Sequence, residues 1–558
     1  LGDVFDFYIW SGTPREAMTA YGTLTGLPIF PPEWVFEPWA GGGGGRWRNG
    51  PLQDIALEQM AAMKKFHELD IPHSGFYAEG AGATFYGEYK KEELYKVVSF
   101  GERHGFKVFS WQFPNMTQEL AQELLPECPK EELPITRNKN DEEEKLPVYI
   151  DFSHPRAKEL LAAQWKDRLD AGIRGSMVDF GDVVPDEAVF YDGRRGDEMH
   201  NAYAYQYAKN YRELFEQKYG DDHVLYTRGA APGSQHFACQ FGGDQLTSFQ
   251  GLKYAIAGGL SAAASGLPFW GVDAGGYDGF PDQETYLRWT EYAAFCPLMR
   301  FHGTEPREPW EYDAFTVKVY RYYTWLRENL RPYIVSVAAE AHKLGIPMMR
   351  PLAMMYPEDQ EATKVWDEYL FGEDLLVAPV SDETEEREIY FPEGRWISLW
   401  NLNDEISGPV QRSVEVPIDK IPVYIREGSF LPLRLNESLK LGESMSESET
   451  EMILAVVPQN DSIVKETLYE RSGAKTCCGM EKNGETIQLQ ISGRTAELYV
   501  MLAGIHWKNT EAIVNGRTLT KVTAREGLYF TEGYLELEEG ILVKINPSAE
   551  SVIKIQKK

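Results

Sequence analysis

Residues 175–182 read GSMVDFGD, and this stretch decides the fold that the sequence predicts. A run of small and apolar residues leads into Asp179, and the chain then turns at Gly181. The pattern predicts a buried strand whose carboxylate emerges at the C-terminal end of the strand. In parallel α/β proteins, the C-terminal ends of the strands carry the active site.

Two further apolar runs end in an aspartate in the same way. Residues 240–244 read QFGGD and end at Asp244, and residues 268–273 read PFWGVD and end at Asp273. An aspartate after a strand is also a good N-cap for the next helix, which is the structural alternative for each of them. Three such endings, flanked by glycine and aromatic residues, favour a carboxylate-based active site.

A strand-then-helix rhythm runs from residue 31 to residue 345. About eight repeats predict the α/β class and, within it, a (β/α)8 TIM barrel. The strands are expected at 35–39, 75–78, 106–111, 148–152, 175–178, 224–227, 240–244, 269–272 and 298–301, and helices between them include 52–69, 92–104, 155–170, 283–294 and 317–342. A doubly wound sheet is the alternative, but no Gly-x-Gly-x-x-Gly turn follows the first strand.

The segments outside the repeats complete the predicted domain plan. Residues 1–30 form an approach segment with a strand-like 4–10 and a helix-like 14–24, and the polar, acidic residues 117–147 form an insertion or loop over the strand ends. After Gly345 the pattern changes to short strands separated by turn residues. It predicts two C-terminal β-sandwich domains, 346–432 and 433–558, with a supporting role.

Composition limits the classes of function. The chain has 558 residues and a net charge of −30, which argues against nucleic acid and anionic membranes as partners. Five cysteines predict reduced thiols rather than a disulfide framework, and His and Cys are too scattered for a metal site. No apolar run reaches the 18 residues or so of a membrane helix. We therefore expect no membrane partner and a cytoplasmic location, with homo-oligomerisation left open.

Together, these stretches resemble glycoside hydrolase family 31, the α-glucosidase and α-xylosidase family. The resemblance extends over nearly the whole chain. It rests on residues 5–12 (FDFYIWSG), 31–34 (PPEW), 151–155 (DFSHP), 233–235 (GSQ), 271–277 (GVDAGGY), 299–303 (MRFHG) and 375–380 (LLVAPV). Family members carry an N-terminal β-sandwich before the first of these motifs, so the resemblance implies a chain truncated at its start, with residues 1–30 as the end of that missing domain.

The resemblance implies a retaining glycosidase. Asp179 matches the family's nucleophile and Asp244 its general acid/base. Asp273 and His302 match positions that hydrogen-bond the sugar in the cleaved subsite. Arg228 matches a position near the acid/base, and its alternative is a structural ion pair with a neighbouring aspartate.

Several positions depart from the family pattern. The usual 4,6-hydroxyl-binding aspartate aligns with Gly80, where the neighbouring Glu79 could substitute, and the usual arginine before the acid/base aligns with His236. Phe241 stands where the family has a tryptophan.

The sequence 179–182 (DFGD) is nearest to the sulfoquinovosidase branch, which makes Asp182 a further substrate-binding candidate. The Gln-Asp-Trp of that branch is missing, and Arg46 and Arg48 lie in a glycine-rich context unlike its sulfonate pattern.

Aromatic side chains are candidates for the walls of a sugar site. We expect Trp111 and Trp270 to stack on the substrate, and the alternative for any such residue is that it only fills the core. Further candidates are Trp39, Trp47 and Phe113.

These observations predict a retaining, exo-acting α-glycosidase that hydrolyses a terminal α-linked hexose of a small-molecule glycoside or oligosaccharide. Two carboxylates perform this reaction without a metal or cofactor, so none is expected. The alternatives are α-galactosidase or sulfoquinovosidase-like specificity, or a transglycosylase or lyase on the same scaffold. A non-catalytic sugar-binding protein is the least favoured, because both carboxylates are present.

Overall fold

The computed structural model describes residues 7–41, 52–78, 80–81, 90–137, 148–446, 451–460, 462–494, 496–529, 531–547 and 550–558. The chain divides into two compact units. The first comprises Leu1–Trp289, Cys296–Val317 and His342–Pro347, and the second comprises Thr290–Phe295, Lys318–Ala341 and Met348–Lys558.

The described helices include those that the periodicity predicts, together with two short helices that it does not. They are α1 (Pro14–Thr25), α2 (Leu52–Glu68), α3 (Lys91–Arg103), α4 (Gln118–Leu124), α5 (Ala157–Ala171), α6 (Gly196–Tyr219), α7 (Phe249–Ala264), α8 (Gln283–Ala294), α9 (Ala314–Leu344) and α10 (Leu352–Met355). The first is fixed by a capping box, in which the Thr13 side chain accepts from the Glu16 amide and the Glu16 carboxylate accepts from the Thr13 amide. Its predicted range, 14–24, is confirmed to within one residue.

The first unit is built around a parallel sheet. Its described strands are β1 (Trp39–Gly41), β2 (Gly75–Tyr77), β3 (Lys107–Gln112), β4 (Asn115–Met116), β5 (Val148–Tyr149), β6 (Gly175–Val178), β7 (Val224–Thr227), β8 (Cys239–Phe241) and β9 (Trp270–Gly271). Seven of them pair in the order β1-β2-β3-β6-β7-β8-β9, and every pairing is parallel.

Residues 298–301 close this sheet into a barrel. Leu298 forms a parallel bridge to Gly271 at one edge, and Arg300 forms a parallel bridge to Trp39 at the other. The Trp39 amide donates to the Met299 carbonyl at 2.9 Å. With this eighth segment, the predicted (β/α)8 barrel is confirmed.

Large aromatic side chains fill the barrel. Trp39, Phe109 and Tyr226 come from the first, third and fifth strands, and the Trp39 ring lies 4.8 Å from Phe109 and 5.6 Å from Tyr226. Alternate strands supply one layer of a TIM-barrel core in this way. Gly75 and Gly175 lie against the Phe109 ring, where a Cβ atom on either would clash. The small residues beside the barrel strands therefore make room for the rings. Trp39 is core rather than a wall of the sugar site.

Three local predictions were wrong. The run 148–152 is not a barrel strand, because β5 pairs antiparallel with β4 in a separate two-stranded sheet. A short apolar run does not reveal which neighbour it will pair with. The strand predicted at 35–39 begins only at Trp39, because Glu33–Phe36 form a short 3-10 helix. Within the predicted insertion, α4 begins after Thr117, whose hydroxyl accepts from the Leu120 amide at 3.1 Å. Residues 7–10 form no strand, and their side chains are exposed. Residues 138–147 lie outside the described part.

The second unit holds the remaining described strands, which form three six-stranded sheets. The strands are β10 (Met349–Pro351), β11 (Tyr369–Phe371), β12 (Leu375–Val377), β13 (Glu386–Ser398), β14 (Asn401–Glu415), β15 (Val423–Arg426), β16 (Phe430–Leu435), β17 (Glu451–Val456), β18 (Ile463–Tyr469), β19 (Lys475–Asn483), β20 (Thr486–Ser492), β21 (Leu498–Ala503), β22 (Thr510–Val514), β23 (Arg517–Thr518), β24 (Thr520–Lys521), β25 (Gly533–Glu536), β26 (Gly540–Ile545) and β27 (Glu550–Lys557).

Two of these sheets form the C-terminal sandwich. The sheets β16-β17-β21-β26-β25-β24 and β18-β19-β20-β27-β22-β23 share one apolar core, to which Leu454 and Val500 contribute from the first and Leu489 and Ile553 from the second. The third sheet, β10-β11-β12-β15-β13-β14, has its own core around Phe391 and Trp396. The domain boundaries at 345/346 and 432/433 stay predictions.

Within the described ranges, no helix is both long and apolar enough to cross a membrane. The same residues contain no group of three or more His, Cys, Asp or Glu side chains placed to hold a metal ion.

Candidate active site

The candidate residues of the first unit gather where its parallel strands end. Asp179 follows β6, Arg228 follows β7, Asp244 follows β8 by three residues, and Asp273 follows β9 by two. Because the C-terminal ends of parallel strands meet on one face of a barrel, these side chains converge there. The predicted carboxylate site is therefore built by four neighbouring strands.

Asp179 is a buried carboxylate held by hydrogen bonds on both oxygens. The Trp111 indole donates from Nε1 to its Oδ2 at 3.0 Å, and the Phe180 amide donates to its Oδ1 at 2.9 Å. Phe180 has φ of 58°, in the left-handed region that is rare for a residue with a Cβ atom. This turn lets the amide after the strand point back at the carboxylate. Such strain is concentrated at functional sites.

Arg228 connects two of the candidate carboxylates. Its Nη1 lies 3.5 Å from Asp179 Oδ1, and its Nη2 donates to Asp182 Oδ1 at 3.2 Å. The guanidinium also lies over the Phe180 ring, 4.2 Å from the ring centre. The structural ion pair and the contact with the candidate nucleophile are thus both present. Arg228 holds the turn 179–182 as one unit.

The charge state of Asp179 reflects opposing effects. Burial raises the pKa of Asp179, while the Arg228 charge and the hydrogen bonds from Trp111 and Phe180 lower it. The nearby Asp244 carboxylate raises the pKa further. The net effect is a pKa of Asp179 above the ordinary aspartate value, and Arg228 and the two hydrogen bonds limit that rise by favouring the ionised form.

Asp244 has a different environment, because its side chain is exposed. The preceding Gly243 has φ of 72°, and a Cβ atom there would lie 3.1 Å from Arg228 Cδ. This glycine therefore lets the chain pass close to Arg228 just before Asp244. The carboxylate raises the pKa of both Asp179 and Asp273, so its charge reaches both buried groups.

Asp273 is fully buried and forms an ion pair with Arg300 through Oδ1. Its backbone amide donates to Gln245 Oε1 at 3.2 Å, which ties it to the strand end that carries Asp244. Its Oδ2 has no hydrogen-bond partner within the described part of the chain. Burial raises the pKa of Asp273, and the Arg300 charge opposes that rise. A buried acceptor without a partner is suited to a ligand hydroxyl.

His302 lies beside this pair as a neutral imidazole. Its ring centre is 4.4 Å from that of Tyr77 and 5.5 Å from that of Tyr277. Burial holds the pKa of His302 well below its ordinary value, and the charges of Arg300 and Arg307 lower it further. A neutral ring can donate one hydrogen bond and accept another.

The aromatic candidates have different surroundings. Trp111 packs against Phe113 at 4.1 Å while its indole bonds to Asp179. Trp270 is half-buried, and its Nε1 has no hydrogen-bond partner among the described residues. Phe241 is buried, and the Arg300 guanidinium lies over its ring, 5.0 Å from the ring centre. Trp47 lies outside the described residues.

The structure does not bring His236 to this group. Its Nδ1 lies 2.9 Å from the Leu27 carbonyl oxygen, and it precedes β8, whereas Asp244 lies beyond the other end of that strand. Glu79, Arg46 and Arg48 lie outside the described residues. Gly80 is described and has φ of 80°, a conformation that favours glycine there.

Two residues of the candidate site, Arg300 and Gln245, were not predicted from the sequence. Arg300 occurs only inside the quoted motif 299–303, and Gln245 was not singled out. A charged residue within an otherwise apolar strand was the available signal for Arg300, because a buried arginine requires a partner. No sequence signal identified the Gln245 bond to the Asp273 amide, which joins residues 28 positions apart.

Comparison with known proteins gives two family matches. The family model described as "Glycosyl hydrolases family 31 TIM-barrel domain" matches residues 29–337. The model described as "Glycosyl hydrolase family 31 C-terminal domain" matches residues 345–431. The first match covers more than half of the chain.

The chain is also similar to individual curated proteins. The chain is 27% identical to an isomaltosyltransferase of Sporosarcina globispora over 605 aligned residues, which cover 98% of this chain and 54% of that protein. It is 32% identical to a sulfoquinovosidase of Escherichia coli over 50% of this chain and 43% of that protein. The chain thus spans about half the length of the curated relatives it matches.

Solved structures match the fold. A cycloalternan-forming enzyme from Listeria monocytogenes, in complex with a pentasaccharide substrate, superposes with a TM-score of 0.86 at 23% identity, over 98% of this chain and 56% of that one. A dextranase of Flavobacterium johnsoniae superposes with a TM-score of 0.85 at 23% identity, over 98% of this chain and 74% of that one.

Proposed function

Because the chain belongs to glycoside hydrolase family 31, we propose that it is a retaining, exo-acting α-glycosidase that releases a terminal α-linked hexose. Asp179 is the nucleophile and Asp244 the general acid/base. The observation that carries this assignment is the contrast between the two carboxylates. Asp179 is buried and accepts hydrogen bonds on both oxygens, whereas Asp244 is exposed beside it.

In the first step, an Asp179 oxygen attacks the anomeric carbon while the glycosidic C–O bond breaks. Asp244 gives its proton to the leaving oxygen, so the aglycone departs as a neutral alcohol. Trp111, Phe180 and Arg228 hold the attacking carboxylate in one orientation and keep it ionised. Pre-orientation of this kind lowers the barrier without a reorganisation at the moment of reaction.

In the second step, Asp244 takes a proton from a water molecule, and that water attacks the same anomeric carbon. The ester bond to Asp179 breaks and returns the carboxylate. Two displacements at one carbon restore the α configuration.

The sugar of the cleaved subsite is proposed to be a neutral hexose. Asp273 Oδ2 and the neutral His302 ring supply hydrogen bonds to hydroxyls, and Trp111 and Trp270 supply apolar faces. Arg228 and Arg300 both have carboxylate partners, which favours a neutral sugar over a sulfonate. Among neutral hexoses we propose glucose, because two relatives are named isomaltosyltransferase and 1,3-α-isomaltosidase, and isomaltose is a disaccharide of glucose. α-Galactoside is the alternative, because Gly80 stands where the family has its 4,6-hydroxyl-binding aspartate.

Transglycosylation is the second candidate activity. The likeness to the isomaltosyltransferase extends over 98% of this chain. The chemistry is the same, except that a sugar hydroxyl replaces water in the second step. Homo-oligomerisation and a cytoplasmic location stay predictions.

A panel of 4-nitrophenyl α-glycosides and isomaltose tests the proposal. We expect the α-glucoside to be hydrolysed fastest among the glucoside, galactoside, xyloside and sulfoquinovoside, with the first-formed hexose in the α configuration by ¹H NMR. Product analysis at high isomaltose concentration separates free glucose from longer transfer products. A β-configured first product, or an unsaturated anhydrosugar, would contradict the retaining hydrolase.

A further inference from the structure

Leu246 is an exposed apolar residue two positions after Asp244. Its side chain is 54% exposed. Single exposed leucines are common on protein surfaces, so exposure alone gives Leu246 no role. Two other observations distinguish it, namely how its backbone is held and where its side chain lies.

The backbone at Leu246 is fixed from two sides. A parallel bridge joins Leu246 to Asp278, and the Tyr277 amide donates to the Gln245 carbonyl at 2.8 Å. Gly251 and Gly276 both pack against the Leu246 carbonyl oxygen, where a Cβ atom on either would clash. The segment is therefore held between the first turn of α7 and the loop after β9. An exposed side chain on so rigid a segment has a defined position.

The position of the Leu246 side chain follows from the pattern of burial around Gln245. Gln245 is buried, and its Oε1 accepts from the Asp273 amide inside the barrel. Asp244 and Leu246, on either side of it, are both exposed. Burial therefore alternates across the three residues, with Gln245 directed inward between two exposed neighbours. Residues two positions apart lie within about 7 Å of each other along the backbone, so Leu246 is an exposed apolar side chain next to the candidate acid/base.

We propose that Leu246 forms the aglycone subsite, where it packs against the apolar face of the leaving group. This inference rests on the proposed function, because it needs Asp244 as the acid/base. The ligand class is a leaving group with an apolar face, either an aromatic ring or the C–H face of a second pyranose. By microscopic reversibility, the same contact binds a sugar acceptor in the transfer reaction.

The experiment compares Leu246→Ser with the wild type on three donors that share glucose as the cleaved sugar. The leaving group of α-glucosyl fluoride is a fluoride ion, so this donor has no aglycone to contact Leu246. 4-Nitrophenyl α-glucoside and isomaltose each have an aglycone. We expect kcat/KM for the fluoride to stay within about twofold and kcat/KM for the other two to fall about tenfold. The ratio of transfer to hydrolysis at fixed isomaltose concentration falls as well.

Leu57→Ser is the matched control. Leu57 is 57% exposed on α2, far in sequence from the strand ends. We expect its replacement to leave kcat/KM unchanged for all three donors. The fluoride rate reports directly on the folded, active site of each variant. Unchanged kcat/KM for both the aryl glycoside and isomaltose, with an active wild type, would overturn the Leu246 assignment. An inactive wild type on α-glucosyl fluoride would instead overturn the proposed function, and the aglycone subsite with it.

Discussion

The strand ends at Asp179 and Asp244 place the same type of residue in two different environments. At the first, a left-handed turn, an indole and a guanidinium hold a buried carboxylate. At the second, a glycine with positive φ carries the chain past the same guanidinium and leaves the carboxylate exposed. One barrel face thus gives two carboxylates different environments, since Asp179 is buried among hydrogen-bond donors while Asp244 is exposed. Under the proposed function, these environments suit a nucleophile and a general acid/base respectively.

Removal of Asp179 is the strongest test of this comparison. We expect Asp179→Ala to lower kcat/KM for 4-nitrophenyl α-glucoside by roughly 10⁴-fold or more. Added azide then attacks the anomeric carbon once, from the face that Asp179 left, and gives the β-glucosyl azide. An α-glucosyl azide, or persistent hydrolysis, would mean that another group is the nucleophile.

We expect the loss of kcat/KM on removal of Asp244 to depend on the leaving group of the donor. We expect Asp244→Ala to lower kcat/KM for isomaltose by about 10²- to 10⁴-fold, because its alkoxide leaves only with a proton. Activated aryl glycosides and α-glucosyl fluoride lose much less. Azide attacks the glucosyl ester in this variant, so its product is the α-glucosyl azide. Equal losses for all donors would count against the acid/base role.

Arg228→Met tests how Asp179 stays ionised. In the wild type, burial raises the pKa of Asp179 above its ordinary 3.8, so the acidic limb of kcat/KM lies above that value. Loss of the positive charge raises this pKa further, and the acidic limb then moves to higher pH by about one unit. Arg228→Lys retains the charge and serves as the control. The pH profile of kcat/KM for the aryl glucoside measures both, and an unmoved limb in Arg228→Met would show that Arg228 only supports the turn.

The smallest effect is expected at His236. His236→Ala changes kcat/KM by less than about twofold, because the ring contacts the segment near Leu27 and not the strand ends. Steady-state kinetics on the aryl glucoside and isomaltose check this. A loss of tenfold or more, without a drop in melting temperature, would instead support the sequence-based prediction that His236 binds substrate.

Local periodicity accounts for the predictions that held. The apolar spacing of residues 283–294 gave the bounds of α8 directly, and the strand-then-helix rhythm gave the barrel, including the segment 298–301 that closes it. The error at 148–152 arose because an apolar run predicts a strand but not whether that strand pairs with the barrel sheet or with β4. The error at 7–10 arose because an apolar run predicts a strand without naming its partner.

The sequence by itself determined the fold class, the strand-ending aspartates and the family. Only the tertiary structure decided which carboxylate is buried, that Arg228 joins Asp179 to Asp182, and that His236 lies away from the strand ends. The physical reason is distance along the chain. Strand and helix patterns depend on neighbours within a few residues, whereas the bond from Trp111 to Asp179 joins residues 68 positions apart and forms only when the barrel closes.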